Sequence, residues 1–117
     1  MSRHEKIDYV EFPSHDLEKT KHFFATVFSW TFTDYGPDYT AFSNQGLEGG
    51  FYLSKQRSST ENGAALIVFY SQDLSKTQNK IETAGGHIIK PIFSFPGGAR
   101  FHFSDPTGNE YAVWSDR

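Results

Sequence analysis

The sequence predicts an α+β fold of two repeated β-α-β-β-β modules, about residues 5–54 and 64–115 of a single domain 1–117, with the strands forming a concave curved sheet and the helices outside. Three observations carry this. Asp16, Leu17, Lys19 and Thr20 recur as Asp73, Leu74, Lys76 and Thr77, a spacing of 73 − 16 = 57. Phe12 and Ser14 recur at the same spacing as Phe69 and Ser71, with Phe24 mapping to Ile81 and Val27 to Ala84. The polar stretch 55–63, containing Gln-Arg-Ser-Ser-Thr-Glu-Asn, separates the copies as a linker.

In the first copy, Ile7 to Phe12 has the β-branched and aromatic content of a strand. Asp16 stands where a helix cap accepts free backbone N–H groups, and Leu17, Thr20, Phe24, Val27 and Phe28 follow as one stripe at helical spacing. Trp30 to Thr33, Tyr39 to Ser43 and Phe51 to Leu53 supply three shorter strands. Tyr-Gly-Pro-Asp at 35–38 and Gln-Gly-Leu-Glu-Gly-Gly at 45–50 read as the turns between them.

The second copy repeats the order. Ala65 to Tyr70 is a strand, and Asp73 to Thr83 a helix with Leu74, Thr77, Ile81 and Ala84 inward. Gly85-Gly86 ends that helix because glycine accepts a left-handed cap. His87 to Ile92, Ala99 to Phe103 and Glu110 to Trp114 complete the unit, the last two joined by the turn Asp105-Pro-Thr-Gly-Asn109. The segment 91–98, with Pro91 and Pro96 around Phe93 and Phe95, reads as a loop able to gate a cavity. Gly49-Gly50, which opens a strand, and Gly97-Gly98, in a loop near the expected cavity mouth, lack the strand, glycine loop and helix order of a phosphate cradle and read as turn chemistry.

Composition narrows the function. Twelve Phe, six Tyr and two Trp in 117 residues supply ample core volume. A net charge of −3 with no basic run gives no electrostatic reason to expect nucleic acid or an anionic membrane. Without cysteine there is no disulfide, thiolate nucleophile or Cys-ligated metal, and the compartment is unconstrained, the cytoplasm being the expectation. No apolar run approaches the ~18 residues of a spanning helix.

The stretch Val10 to Trp30 (VEFPSHDLEKTKHFFATVFSW), its echo at Asp73-Leu74 and Phe103-Ser-Asp-Pro-Thr-Gly-Asn109 together resemble the vicinal oxygen chelate superfamily, which includes glyoxalase I, the bleomycin resistance proteins and the extradiol dioxygenases. The resemblance implies paired modules around a cavity, a small organic molecule as partner, and a homodimer. It also implies that many members hold a divalent metal through His, Gln or Glu on the first and last strands of the modules. The matching positions here are Tyr9, Leu66 and Ala112. Leucine and alanine have no donor atom, and a phenol keeps its proton at neutral pH, so no metal or other cofactor is expected. The alternative is one divalent metal ion held by Glu11 and Glu110, two residues away on the same strand faces, completed by Glu48. His4, His15, His22 and His87 form no ligand pair.

If Tyr9 and Glu11 face the cavity, then by strand alternation so do Leu66, Val68 and Tyr70, with Ala112 and Trp114 on the last strand. His102 joins this ligand-binding set, although its alternation with Arg100 and Ser104 also reads as a solvated edge face. Glu11 is the candidate catalytic base or hydrogen-bond acceptor, against a structural reading in which it pairs with Arg100. Tyr9, Tyr70 and Trp114 are packing residues or a stacking surface for a planar ligand. Three functional readings follow: binding of a small organic ligand in an apolar cavity without the usual metal site; a lyase or dioxygenase using a nonstandard metal site or Glu11 as base; or a noncatalytic interaction module.

Overall fold

The computed structural model describes residues 2–117. The first module comprises β1 (Tyr9–Ser14), α1 (Leu17–Phe28), β2 (Phe32–Asp34), β3 (Tyr39–Gln45) and β4 (Leu47–Leu53). The second comprises β5 (Ile67–Tyr70), α2 (Leu74–Thr83), β6 (His87–Phe95), β7 (Gly98–Ser104) and β8 (Glu110–Ser115). Each forms its own four-stranded mixed sheet, in the orders β1-β4-β3-β2 and β5-β8-β7-β6, in which the first strand runs parallel to the fourth and the remaining pairs are antiparallel.

The repeat extends to individual hydrogen bonds. Asp16 Oδ1 accepts from Lys19 N and Asp73 Oδ1 from Lys76 N, both at 3.1 Å, which satisfies a free donor at each helix start. Just upstream, Ser14 Oγ meets Thr20 Oγ1 at 2.8 Å and Ser71 Oγ meets Thr77 Oγ1 at 2.7 Å, fixing each helix to the strand before it. Helix α1 stops at Ser29, left-handed at φ 61°, and α2 ends at Ala84 before Gly85 at φ 96°. The buried stripe of α1 is Leu17, Thr20, Phe23, Phe24 and Val27, so Phe23 joins it and Phe28 is left half-buried.

One core joins the modules. The ring of Phe24 lies 4.6 Å from Trp30, 5.6 Å from Phe51 and 5.5 Å from Tyr111, so a first-module helix residue packs on both sheets. Phe12 reaches Tyr111 at 5.5 Å. These contacts lie on the core-facing sides of the sheets.

The structure corrects two of the expected turns and loops. Residues 47–50 lie inside β4 rather than in a turn; the reversal is confined to 44–46, where Asn44 and Gly46 take positive φ. Gly49 and Gly50 are there for close approach, since a Cβ at Gly49 would collide with Val10 O and one at Gly50 with the Tyr39 hydroxyl. The anticipated gating loop 91–98 is mostly strand: β6 runs to Phe95 and turns into β7 at Pro96-Gly97. In the linker, Ser58 and Thr60 are hydrogen-bonded to Asn109 and Glu110 at the start of β8. Among the described residues no helix is long and apolar enough to cross a membrane.

Candidate functional site

Alternation along β1 sends Val10 and Phe12 toward the core and Tyr9 and Glu11 to the opposite face. In register, Tyr9 lies beside Glu48 and Glu11 beside Gly50, with Ala41 of β3 beyond Gly50. The missing side chain at Gly50 makes room for the ring of Tyr39. Tyr39 Oη donates to Glu11 Oε2 at 2.8 Å, so the 2.7 Å contact between the two phenols is a bond from Tyr9 Oη to Tyr39 Oη. Burial, followed by the hydrogen bonds to Tyr9 and to the Glu11 carboxylate, pushes the Tyr39 phenol well above its ordinary range. Tyr39 therefore stays protonated and serves as a fixed donor. Glu11 borders a cavity of about 510 Å³, walled on its side by Phe12, Pro13 and Tyr52 and on the other by the linker residues Gln56, Arg57, Ser58 and Asn62.

The second module carries a different arrangement on the equivalent face. Val68 lies beside Ala112 and Ile67 beside Tyr111, so Val68 takes the place of Glu11, and Glu110 that of Glu48. Glu110 and His102 are 5% and 2% exposed. His102 Nδ1 lies 2.8 Å from Glu110 Oε2, and Arg100 Nη2 lies 2.9 Å from His102 Nε2. A guanidinium can only donate, so Nε2 accepts and Nδ1 carries the proton donated to Glu110. Burial pushes the Glu110 carboxyl up, but the bonds from His102 and Thr60 outweigh it and leave the group below its ordinary range, hence ionised. The Arg100 guanidinium also lies over the Phe93 ring at 5.7 Å.

The anticipated site residues thus fall into separate places. Tyr9 and Glu11 sit on the open face of β1. Leu66 is half-buried just before β5, while Val68 and Tyr70 are exposed on β5 and border a second, more apolar cavity of about 370 Å³ with Trp30 and Phe42. The Tyr70 phenol donates to Asp116 and its ring stands edge-on to half-buried Trp114 at 5.2 Å. Ala112 is fully buried. His102 lies on a covered face, not a solvated one: it is buried, bonded to Glu110 and Arg100, with the Phe93 ring 6.1 Å away. Arg100 pairs with His102 and not with Glu11, whose partner is Tyr39. Tyr39 was missed by sequence reasoning; the available signal was Gly50, a strand glycine whose space a neighbouring side chain must fill.

The model of the Glyoxalase/Bleomycin resistance protein/Dioxygenase superfamily matches residues 6–113. The chain belongs to this superfamily. Among solved structures, a glyoxalase-related enzyme from Fulvimarina pelagi superposes with a TM-score of 0.79 at 16% identity, covering 95% of this chain and 88% of the other. A genomically encoded fosfomycin resistance protein from Listeria monocytogenes gives 0.76 at 19% identity, with 95% and 93% covered. Lactoylglutathione lyase from Agrobacterium tumefaciens gives 0.69 at 17%, also with 95% and 93% covered. These likenesses establish the fold. No curated protein sequence matches the chain.

The metal that the superfamily resemblance implies can be tested against the donors present. Glu110 is taken up by His102 and Thr60, and Glu48 Oε2 accepts from Asn44 N at 3.0 Å. Among the described residues no three His, Cys, Asp or Glu side chains come together, so Glu11, Glu48 and Glu110 do not assemble into the anticipated ligand set. Among the described residues these anticipated donors do not form a set that fits the metal.

Proposed function

We propose that the protein binds a small organic molecule in the cavity beside Glu11 and that Glu11 serves there as a base, the lyase-like reading among those the sequence left open. The observation that carries it is the 2.8 Å bond from Tyr39 to Glu11 at the cavity edge. It fixes one carboxylate oxygen and leaves the other for a ligand, which is the arrangement that lets a carboxylate meet a proton in a set orientation. The matched structures named as enzymes are compatible with this reading. A suitable substrate class is a small carbon acid such as an α-hydroxy ketone. Glu11 takes the proton from the hydroxyl-bearing carbon next to the carbonyl, the C–H electron pair becomes a C=C bond while the carbonyl π pair moves onto oxygen, and return of the proton to the same carbon reverses both shifts.

A second reading, sequestration of a cationic organic ligand without turnover, is favoured by the chemistry of Tyr39. Its O–H is engaged as a hydrogen-bond donor to Glu11 and its phenol is a weak acid, so this pair supplies no second acid for a leaving group. The homodimer belongs to the same proposal. Val68, Tyr70 and Phe93 expose apolar surface that a second copy would cover, and Val68→Asp should lower the mass measured by sedimentation if it does. A cytoplasmic setting is part of the same proposal, the absence of cysteine leaving the compartment open.

The test is a ligand-observed NMR screen of small α-hydroxy ketones and aromatic ammonium compounds, followed by incubation of any α-hydroxy ketone that binds in D2O. Base catalysis predicts deuterium uptake at the α-carbon that falls about 100-fold or more in Glu11→Gln. Saturable binding without uptake selects sequestration. Binding unaffected by Glu11→Gln contradicts both readings.

A further inference from the structure

We infer that Asn109 and Glu110 are positioning residues for the ligand, latching the linker so that it forms a fixed wall opposite Glu11. The inference rests on reading the Glu11 cavity as the binding site.

The latch grows from the Asp105-Pro-Thr-Gly-Asn109 turn. Asp105 Oδ1 accepts from Thr107 N at 2.9 Å and from Asn109 N at 3.2 Å, which closes the turn and aims the Asn109 side chain. That side chain, 1% exposed, then bridges the two cavity walls. Its Nδ2 donates to Pro13 O at 2.6 Å, on the strand that carries Glu11, and its Oδ1 accepts from Ser58 N at 2.9 Å, on the linker. Pro13 and Ser58 both line the cavity. Glu110 adds the next bonds: its N–H donates to Ser58 O at 2.7 Å, and its Oε1 accepts from Thr60 N and Thr60 Oγ1, both at 2.9 Å.

Both backbone groups of Ser58 are therefore engaged, one by Asn109 of the turn and one by Glu110 of β8. The linker has little else to hold it, since Lys55, Gln56, Arg57 and Thr60 are exposed and polar. A segment without apolar anchors owes its placement to its hydrogen bonds, and its opening need not disturb the core. Glu48, at the position of Glu110 in the first module, holds only Asn44 N of its own hairpin. The linker wall is thus held by the second module opposite a carboxylate of the first.

The experiment uses Glu110→Gln, which leaves one of its acceptor positions to an amide N–H, together with Thr60→Val and Thr60→Ser at an exposed position that does not threaten folding. Amide hydrogen exchange by NMR is measured without ligand, and affinity is measured for a compound that binds the wild-type cavity. The latch predicts that Glu110→Gln and Thr60→Val each speed exchange at Ser58 and Thr60 and weaken affinity, by up to about tenfold for a lost buried bond. Core amides such as those of Phe24 and Phe101 should keep their protection, and Thr60→Ser should restore both properties. Unchanged exchange at Ser58 and Thr60 overturns the latch. Faster exchange with unchanged affinity overturns the positioning role. If no compound binds the wild type, the cavity reading has failed and the positioning role with it, while the exchange data still decide whether the latch exists.

Discussion

Glu48 and Glu110 occupy the same register position in the two modules, 110 − 48 = 62 residues apart, yet their surroundings are opposite. Glu48 is exposed and caps its own hairpin, whereas Glu110 is 5% exposed and holds His102 and two groups of Thr60. The scaffold around them is common to both, down to the Asp caps and the Ser–Thr pairs that fix strand to helix. What differs is the linker, which folds over the second sheet and is tied down there. A duplicated fold can thus hold one copy of a position as structural glue and leave the first module's face, with Glu11 and Tyr39, open to a ligand.

The largest expected effect concerns what the modules share. Phe24→Ala removes a fully buried ring that packs on both sheets and should cost about 3–5 kcal/mol in chemical denaturation, whereas a loss under about 1 kcal/mol would show that the modules do not share this core. Next comes the contrast itself. Glu110→Ala leaves His102 Nδ1–H and two donors of Thr60 without their acceptor and should cost about 1–3 kcal/mol or more, while Glu48→Ala should stay within about 0.5 kcal/mol. Equal effects would remove the asymmetry.

The caps test the symmetry from the other side. Asp16→Ala and Asp73→Ala each remove one acceptor at 3.1 Å and should cost about 0.5–2 kcal/mol, by similar amounts in thermal melts. The smallest effect is with pH. The Glu110 carboxyl lies lower in the folded protein than in the unfolded chain, so its contribution is present above the ordinary carboxyl value, about 4.3, and is lost as pH falls through its lower folded value. Glu110→Gln should therefore flatten the acid limb of the stability profile. An unchanged limb would mean that this group does not sense acid.

Much of the fold was legible because repetition fixed register. Asp16 and Asp73 located both helix starts, and the apolar stripes behind them gave the buried faces. The errors arose where glycine and proline have two meanings. Gly49 and Gly50 look like turn residues but lie in β4 under Phe42 and Tyr39, and Pro91 sits within β6, where a register irregularity accommodates it. For the site, strand alternation placed Tyr9 and Glu11 on one face correctly. It had no means of locating Tyr39, two strands away in the sheet order, or of foreseeing that a polar linker would dock on Asn109 and Glu110. Those depend on sheet order and on loop docking, which local patterns do not encode.

The most direct test of the account is a ¹H–¹⁵N correlation titration of the protein with a compound taken from the binding screen. The account predicts saturable shifts at the amides of Glu11, Ser58 and Asn62 that vanish in Glu11→Gln. Shifts confined to Val68, Tyr70 and Trp114 would place binding on the second module and contradict it.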